Sequence, residues 1–181
     1  MTVPNIITTL RIIIVPIFII YMINSRALAA LIVFIIASIS DALDGFIARV
    51  FRQKTSLGAY LDPLADKILL ITAYITLAIL KMIPSWLAVV TISRDVIIML
   101  GVLILYMNRY PVRIRPSLLS KATTCIQAAT ILIVLSNDYL DLDFLKVYSF
   151  WLAAVVTVAS GLQYIRNGLI ILSEGTSSNF A

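Results

Sequence analysis

The chain has 181 residues, 61% of them hydrophobic and only 13% charged, with a net charge of +5 and a mean hydropathy of +1.05. Soluble domains run near 45–50% apolar and about 25% charged, so the composition excludes an ordinary soluble domain, and equally a disordered, collagen-like or disulfide-stapled one. One cysteine, Cys125, permits no internal disulfide, and the absence of histidine removes His triads, His bases and His metal ligands.

Six runs are apolar and long enough for a spanning helix, which needs roughly 20 such residues. In chain order they are 5–24, 27–51, 57–80, 84–107, 118–136 and 147–171. The first has no basic n-region before it and no clear small-residue cleavage site, so it reads as a retained helix rather than a signal peptide. Pro16 lies inside it, where a kink is expected. Asn24-Ser25 ends it. Pro84 stands where the fourth run starts, a place where a missing N–H costs least. Pro111 and Pro116 bracket a polar stretch between the fourth and fifth runs, and Asn137-Asp138 ends the fifth. No long polar segment, repeat or low-complexity stretch intervenes. The expected fold is an all-α integral membrane bundle of six transmembrane helices, a single domain over 1–181.

Lys and Arg in short loops set the orientation. Arg49, Arg52 and Lys54 lie between the second and third runs. Arg109, Arg113 and Arg115 lie between the fourth and fifth, with Lys121 just beyond. The other side holds only Arg26, Lys81 and Lys146, with the acids Asp138, Asp141 and Asp143 in what reads as a solvated outer loop. The basic side is therefore expected in the cytoplasm, with both termini. Tyr21, Trp86, Tyr106, Tyr110, Tyr139, Tyr148 and Trp151 fall near span ends, where amphipathic rings favour the interface.

Five of the nine acidic residues fall inside the spans: Asp41, Asp44, Asp62, Asp66 and Asp95. Each costs about 2.5–3.5 kcal/mol at a helix centre, less towards an end. Such residues mark a functional site facing the bundle interior. Asp41 and Asp44 are i,i+3 and Asp62 and Asp66 are i,i+4, so each pair shares one helical face. Gly45 and Ala48 lie on the face of the first pair, and Gly58 one turn before the second. Two antiparallel helices joined by the basic turn 52–56 thus each present two carboxylates beside small residues. Oxygen donors without His or Cys suit a hard cation such as Mg²⁺ or Mn²⁺. Four carboxylates exceed what one ion needs, which points to two ions. The cluster should lie just inside the cytoplasmic leaflet, where a water-soluble nucleotide can meet a lipid. The structural alternative for the quartet is ion pairing with Arg49 and Lys67. For Arg94 it is pairing with Asp95, although neighbouring helix positions point about 100° apart.

The run Asp41-Ala-Leu-Asp44-Gly45-Phe-Ile-Ala48-Arg49, eight residues, Gly58, three residues, Asp62, three residues, Asp66 resembles the signature of the CDP-alcohol phosphatidyltransferase family at every fixed position. Pro4-Asn5-Ile-Ile-Thr8-Thr-Leu-Arg11, Ile92-Ser93-Arg94-Asp95 and Arg115-Pro-Ser-Leu-Leu-Ser120-Lys121 resemble further motifs of its phosphatidylglycerol-making branch. Pro116–Gln127 and Ala159-Ser-Gly-Leu-Gln-Tyr-Ile-Arg166 look more like its cardiolipin synthases. The resemblance implies transfer of a phosphatidyl group from CDP-diacylglycerol to glycerol 3-phosphate or phosphatidylglycerol, with release of CMP. It implies ions held by Asp41, Asp44, Asp62 and Asp66, with Asp66 as candidate general base. Asn5, Thr8, Gly45, Ala48, Arg49 and Gly58 would bind CDP, and Arg94, Arg113, Arg115 and Lys121 the acceptor's phosphate. Expected partners are the lipid bilayer, these substrates and a second copy of the chain, with no nucleic acid. The expected location is the cytoplasmic membrane. Two rival readings of intramembrane carboxylates are a prenyltransferase, whose Asp-rich motifs sit on a much longer bundle, and a cation or proton transporter.

Overall fold

Each of the apolar runs folds as an α-helix. In the computed structural model the described backbone covers residues 3–50, 58–107 and 118–177, with side chains described over 13–40, 67–101 and 118–170. The helices are α1 (Val3–Ile23), α2 (Ala27–Val50), α3 (Gly58–Ile79), α4 (Ser85–Met107), α5 (Leu118–Leu140) and α6 (Asp143–Ser177). No strand occurs among the described residues. Arg52, Lys54, Arg109, Pro111, Arg113, Arg115 and Pro116 lie outside them. The helix α1 runs through Pro16.

Three turns are short, and each ends its helix with a residue in the left-handed region. Ser25 has φ 56°, Lys81 φ 59° and Asp141 φ 49°. After α1, the Arg26 N–H reaches the Tyr21 carbonyl at 2.9 Å and the Ser25 N–H reaches Met22 at 3.1 Å. After α3, Met82 bonds back to Leu77 at 2.9 Å and Lys81 to Ala78 at 3.1 Å. Both are the paired back-bonds that satisfy last-turn carbonyls, made here without glycine. Asn24 adds a side-chain bond to the Ile20 carbonyl at 2.9 Å, which explains why Asn24-Ser25 stops the first helix.

The third turn differs from expectation. Asn137-Asp138 does not end α5, which continues to Leu140, and α6 begins at Asp143 instead of 147. The expected outer loop shrinks to Asp141–Leu142. Asn137 Nδ2 donates to Asp143 Oδ1 at 2.9 Å, and the Asp141 N–H bonds to the Asn137 carbonyl at 3.2 Å. Asp143 sits in the first turn of α6, where a carboxylate complements the unpaired N–H groups. Asn137, expected to help stop the helix, instead fastens the next one.

The helix α1 packs on α2 and α3, α4 on α6 and α3, and α5 on α6, α2 and, more lightly, α3. Phe18 of α1 meets Phe34 of α2, ring centroids 6.0 Å apart. Tyr74, Leu77, Leu87, Ile131, Val134, Leu135 and Ala153 fill the shared core. Polarity across the bundle runs opposite to that of a soluble protein. Ile13, Ile20, Ile36, Val89, Met99, Trp151, Val155 and Leu162 face outward, while Thr91, Arg94, Asp95, Thr123, Gln127, Thr157 and Ser160 are buried. Among the described residues, Leu118–Leu140 and Asp143–Ile170 are long and apolar enough to cross a membrane. The small residues Ala153, Ala154, Ser160 and Gly161 are buried within the chain. A Cβ added at Gly161 would meet Arg94 Cγ at 3.5 Å, so Ser160 and Gly161 pack α6 on α4.

Candidate active site

The motif is carried by two helix ends. Asp41, Asp44, Gly45, Ala48 and Arg49 lie on the last ten residues of α2, and Gly58, Asp62 and Asp66 on the first nine of α3. Helical spacing puts Asp41 with Asp44 on one face and Asp62 with Asp66 on another. Their side chains, like those of Asn5 and Thr8, lie outside the described residues. The backbone still fixes the level of each. Because α1 and α2 form a hairpin around the turn at 24–26, residues equidistant from that turn stand level, to within about a turn of helix. Asn5 and Thr8 of α1 therefore stand at the level of Asp41 to Gly45. With α1 packed on both α2 and α3, the helix that carries Asn5 and Thr8 is a neighbour of each helix that carries the metal candidates.

Next along α3 comes a second set of charges. Lys67, directly after Asp66, donates from Nζ to Asp95 Oδ1 of α4. Arg94 Nη1 donates to the same oxygen at 2.7 Å. Arg94 Nη2 donates to Ser120 Oγ of α5 at 2.8 Å and to Ser160 Oγ of α6 at 2.6 Å. The Arg94 and Asp95 side chains are each 4% exposed and Lys67 is 35% exposed. Among the described residues, Arg94 Nε and Asp95 Oδ2 are buried without a hydrogen-bond partner. Despite the angle between neighbouring helix positions, the guanidinium folds back onto the adjacent carboxylate. Below this cluster, Gln127 Nε2 donates to Thr157 Oγ1 at 3.0 Å and the Tyr74 hydroxyl to the Gln127 carbonyl at 3.3 Å, which continues the polar seam between α3, α5 and α6.

Of the acceptor-phosphate candidates, Arg94 is thus buried and bonded within the protein. Lys121 stands exposed near the start of α5, and Arg113 and Arg115 lie outside the described residues. Lys67, Ser120 and Ser160 were not picked out as site residues. A signal for Lys67 did exist: a cation inside an apolar span needs an anion, and Asp95 was the in-span acid outside the motif. Ser120 and Ser160 carried no such signal, because a serine in an apolar helix reads equally well as a packing residue.

The donor set fits a hard divalent ion: four carboxylates, no sulfur or imidazole, on the facing ends of two successive helices in chain order. Among the described side chains alone, no group of three metal-ligating residues occurs.

A family profile described as CDP-alcohol phosphatidyltransferase matches residues 1–159. That stretch holds the whole motif, α1 to α5 and the first half of α6, and the chain belongs to this family. It is 33% identical over 187 aligned positions to the cardiolipin synthases (CMP-forming) of Rattus norvegicus and Homo sapiens, over 92% of this chain and 61% and 62% of those proteins. It is 34% identical over 180 positions to the CDP-diacylglycerol--glycerol-3-phosphate 3-phosphatidyltransferase of Bacillus subtilis, over 89% of this chain and 92% of that protein. The chain thus spans about three-fifths of the length of the mammalian relatives. Neither a prenyltransferase nor a transporter is favoured by these matches.

Proposed function

We propose that the chain is a membrane-embedded phosphatidyltransferase that moves a phosphatidyl group from CDP-diacylglycerol to a glycerol-bearing acceptor and releases CMP. The observation that carries this reading is the motif itself: four carboxylates and three small residues on the end of α2 and the start of α3, in a chain of this family. The outward apolar faces and buried polar seam support a bundle solvated by lipid. In this reading all six helices span, both termini and the motif end lie on the cytoplasmic side of the inner membrane, and 1–181 form one domain. A second copy of the chain completes a homodimer.

The chemistry follows from the residues. An acceptor hydroxyl oxygen attacks the phosphorus that carries the diacylglycerol. A new P–O bond forms there, and the bond from that phosphorus to the oxygen of the CMP phosphate breaks. Asp66 takes the hydroxyl proton, the natural role for a carboxylate in a chain without histidine. Asp41, Asp44, Asp62 and Asp66 would hold two Mg²⁺ or Mn²⁺ ions, which when bound supply positive charge for the pyrophosphate and its leaving oxygen. Gly45, Ala48 and Gly58 leave room for the nucleotide, Arg49 reaches its phosphates, and Asn5 and Thr8 add contacts from α1. Arg113, Arg115 and Lys121 hold the acceptor's own phosphate, which glycerol 3-phosphate and phosphatidylglycerol share. Arg94 is already bonded to Asp95, Ser120 and Ser160.

The test supplies the purified chain with CDP-diacylglycerol, Mg²⁺ and one acceptor at a time, and follows CMP release and product mass. Product from glycerol 3-phosphate marks a phosphatidylglycerophosphate synthase. Product from phosphatidylglycerol marks a cardiolipin synthase. No CMP with either acceptor sinks the reading.

A further inference from the structure

The Lys67–Asp95–Arg94 chain is costly where it stands. Two cations share one carboxylate oxygen in the middle of a bundle, and two of the three groups are 4% exposed. Apolar residues of similar size would pack there at less desolvation cost. What the charges add is geometry. Through Asp95, Lys67 ties the early turns of α3 to α4, and through its fork Arg94 ties α4 to α5 and α6. Four helices meet on one guanidinium and one carboxylate. Lys67 adjoins Asp66, so an α-helix fixed at Lys67 is fixed at Asp66 and, one turn earlier, at Asp62. Ser120, bonded to Arg94, adjoins Lys121 at the start of α5. The chain of bonds therefore runs from the backbone beside the proposed base to the backbone beside a proposed acceptor ligand.

We propose that Lys67, Asp95 and Arg94 are positioning residues that set the distance between the carboxylate end of α3 and the acceptor side formed by the start of α5. This rests on the phosphatidyltransferase reading. In-line transfer tolerates little misplacement, about a hundredfold in rate for roughly 1 Å. A planar fork holding three oxygens at set angles is a better spacer than a flexible ammonium, which is why Arg and not Lys occupies position 94.

The experiment compares the full wild-type chain in lipid nanodiscs with Arg94→Lys, Asp95→Asn and the charge-balanced pair Lys67→Met/Asp95→Asn. Steady-state CMP release is measured with varied acceptor, and the thermal midpoint with and without Mg²⁺. The inference expects kcat to fall roughly ten- to a hundredfold in Arg94→Lys, with the acceptor KM within about twofold of wild type. It expects a smaller rise in thermal midpoint on adding Mg²⁺, because the carboxylates no longer sit at matched distances. It also expects the charge-balanced pair to regain the midpoint lost in Asp95→Asn without regaining kcat. A raised acceptor KM at unchanged kcat overturns it, since Arg94 then contacts the acceptor directly. Recovery of kcat in the charge-balanced pair also overturns it, since charge balance alone then mattered. Should Asp95→Asn fail to fold, the kcat-against-KM split in Arg94→Lys decides. An active wild type with unaffected variants overturns the positioning role alone, whereas a wild type that releases no CMP overturns it together with the phosphatidyltransferase reading.

Discussion

The two ends of the bundle are built to different rules. At one end, α1 turns into α2, α3 into α4 and α5 into α6 through short connections closed by backbone bonds. Trp86 and Trp151 meet there at a tilt of 41° with centroids 5.5 Å apart, and the Tyr139 hydroxyl accepts the Leu28 N–H of the α2 start at 3.1 Å. Of its acids, Asp143 serves the turn by accepting from Asn137. At the other end stand the start of α1, the tail of α2 and the start of α3, carrying Asn5, Thr8, the four aspartates, Arg49 and the motif glycines. In the proposed reading the chemistry belongs to the end that carries the motif, and the Lys67–Asp95–Arg94 chain, which starts one residue after Asp66, is its mechanical link to α4, α5 and α6. Loss of an acid-end residue should then remove activity and spare stability, and loss of a core or turn-end residue should do the reverse.

The largest expected effect is metal removal. Chelation by EDTA should abolish CMP release, and millimolar Mg²⁺ or Mn²⁺ should restore it; full activity in EDTA would refute the carboxylate metal site. Next comes Asp66→Asn, expected to lower kcat roughly 10²- to 10⁴-fold, the range of a positioned general base, with an unchanged thermal midpoint. Near-wild-type turnover would remove Asp66 from the chemistry. Phe34 is fully buried against Phe18, so Phe34→Ala should lower stability by about 3–5 kcal/mol and leave the acceptor KM of the folded fraction unaltered. A shifted KM there would break the separation of the two ends. The smallest effect is a gain. Lys81 holds φ 59°, a conformation glycine adopts freely, so Lys81→Gly should raise stability by about 0.5–1 kcal/mol, seen as a higher thermal midpoint with no change in kcat.

Much of this was legible before any coordinates. The helix count and four of the helix positions came from apolar runs broken by Asn24-Ser25, Pro84 and the polar stretch after Met107, because each break has a local cause. The motif was legible because its spacing is helical and because carboxylates inside apolar runs need a reason. What was not legible depended on contacts distant in sequence. Asn137 reads locally as a helix stop, yet its amide finds Asp143 across the turn. Arg94 reads as a cation awaiting a phosphate, and what the sequence does not show is that its guanidinium also bonds Ser120 and Ser160 on two other helices and shares Asp95 with Lys67 of a third.

The sequence by itself determined that this is an all-helical chain with an acid motif on two successive helices, because hydropathy and helical periodicity act over neighbouring residues. Only the tertiary structure decided which charges answer one another. A buried charge takes the partner that packing brings within about 3 Å, and packing joined Lys67 to Asp95 and Arg94 to two serines on helices distant in sequence.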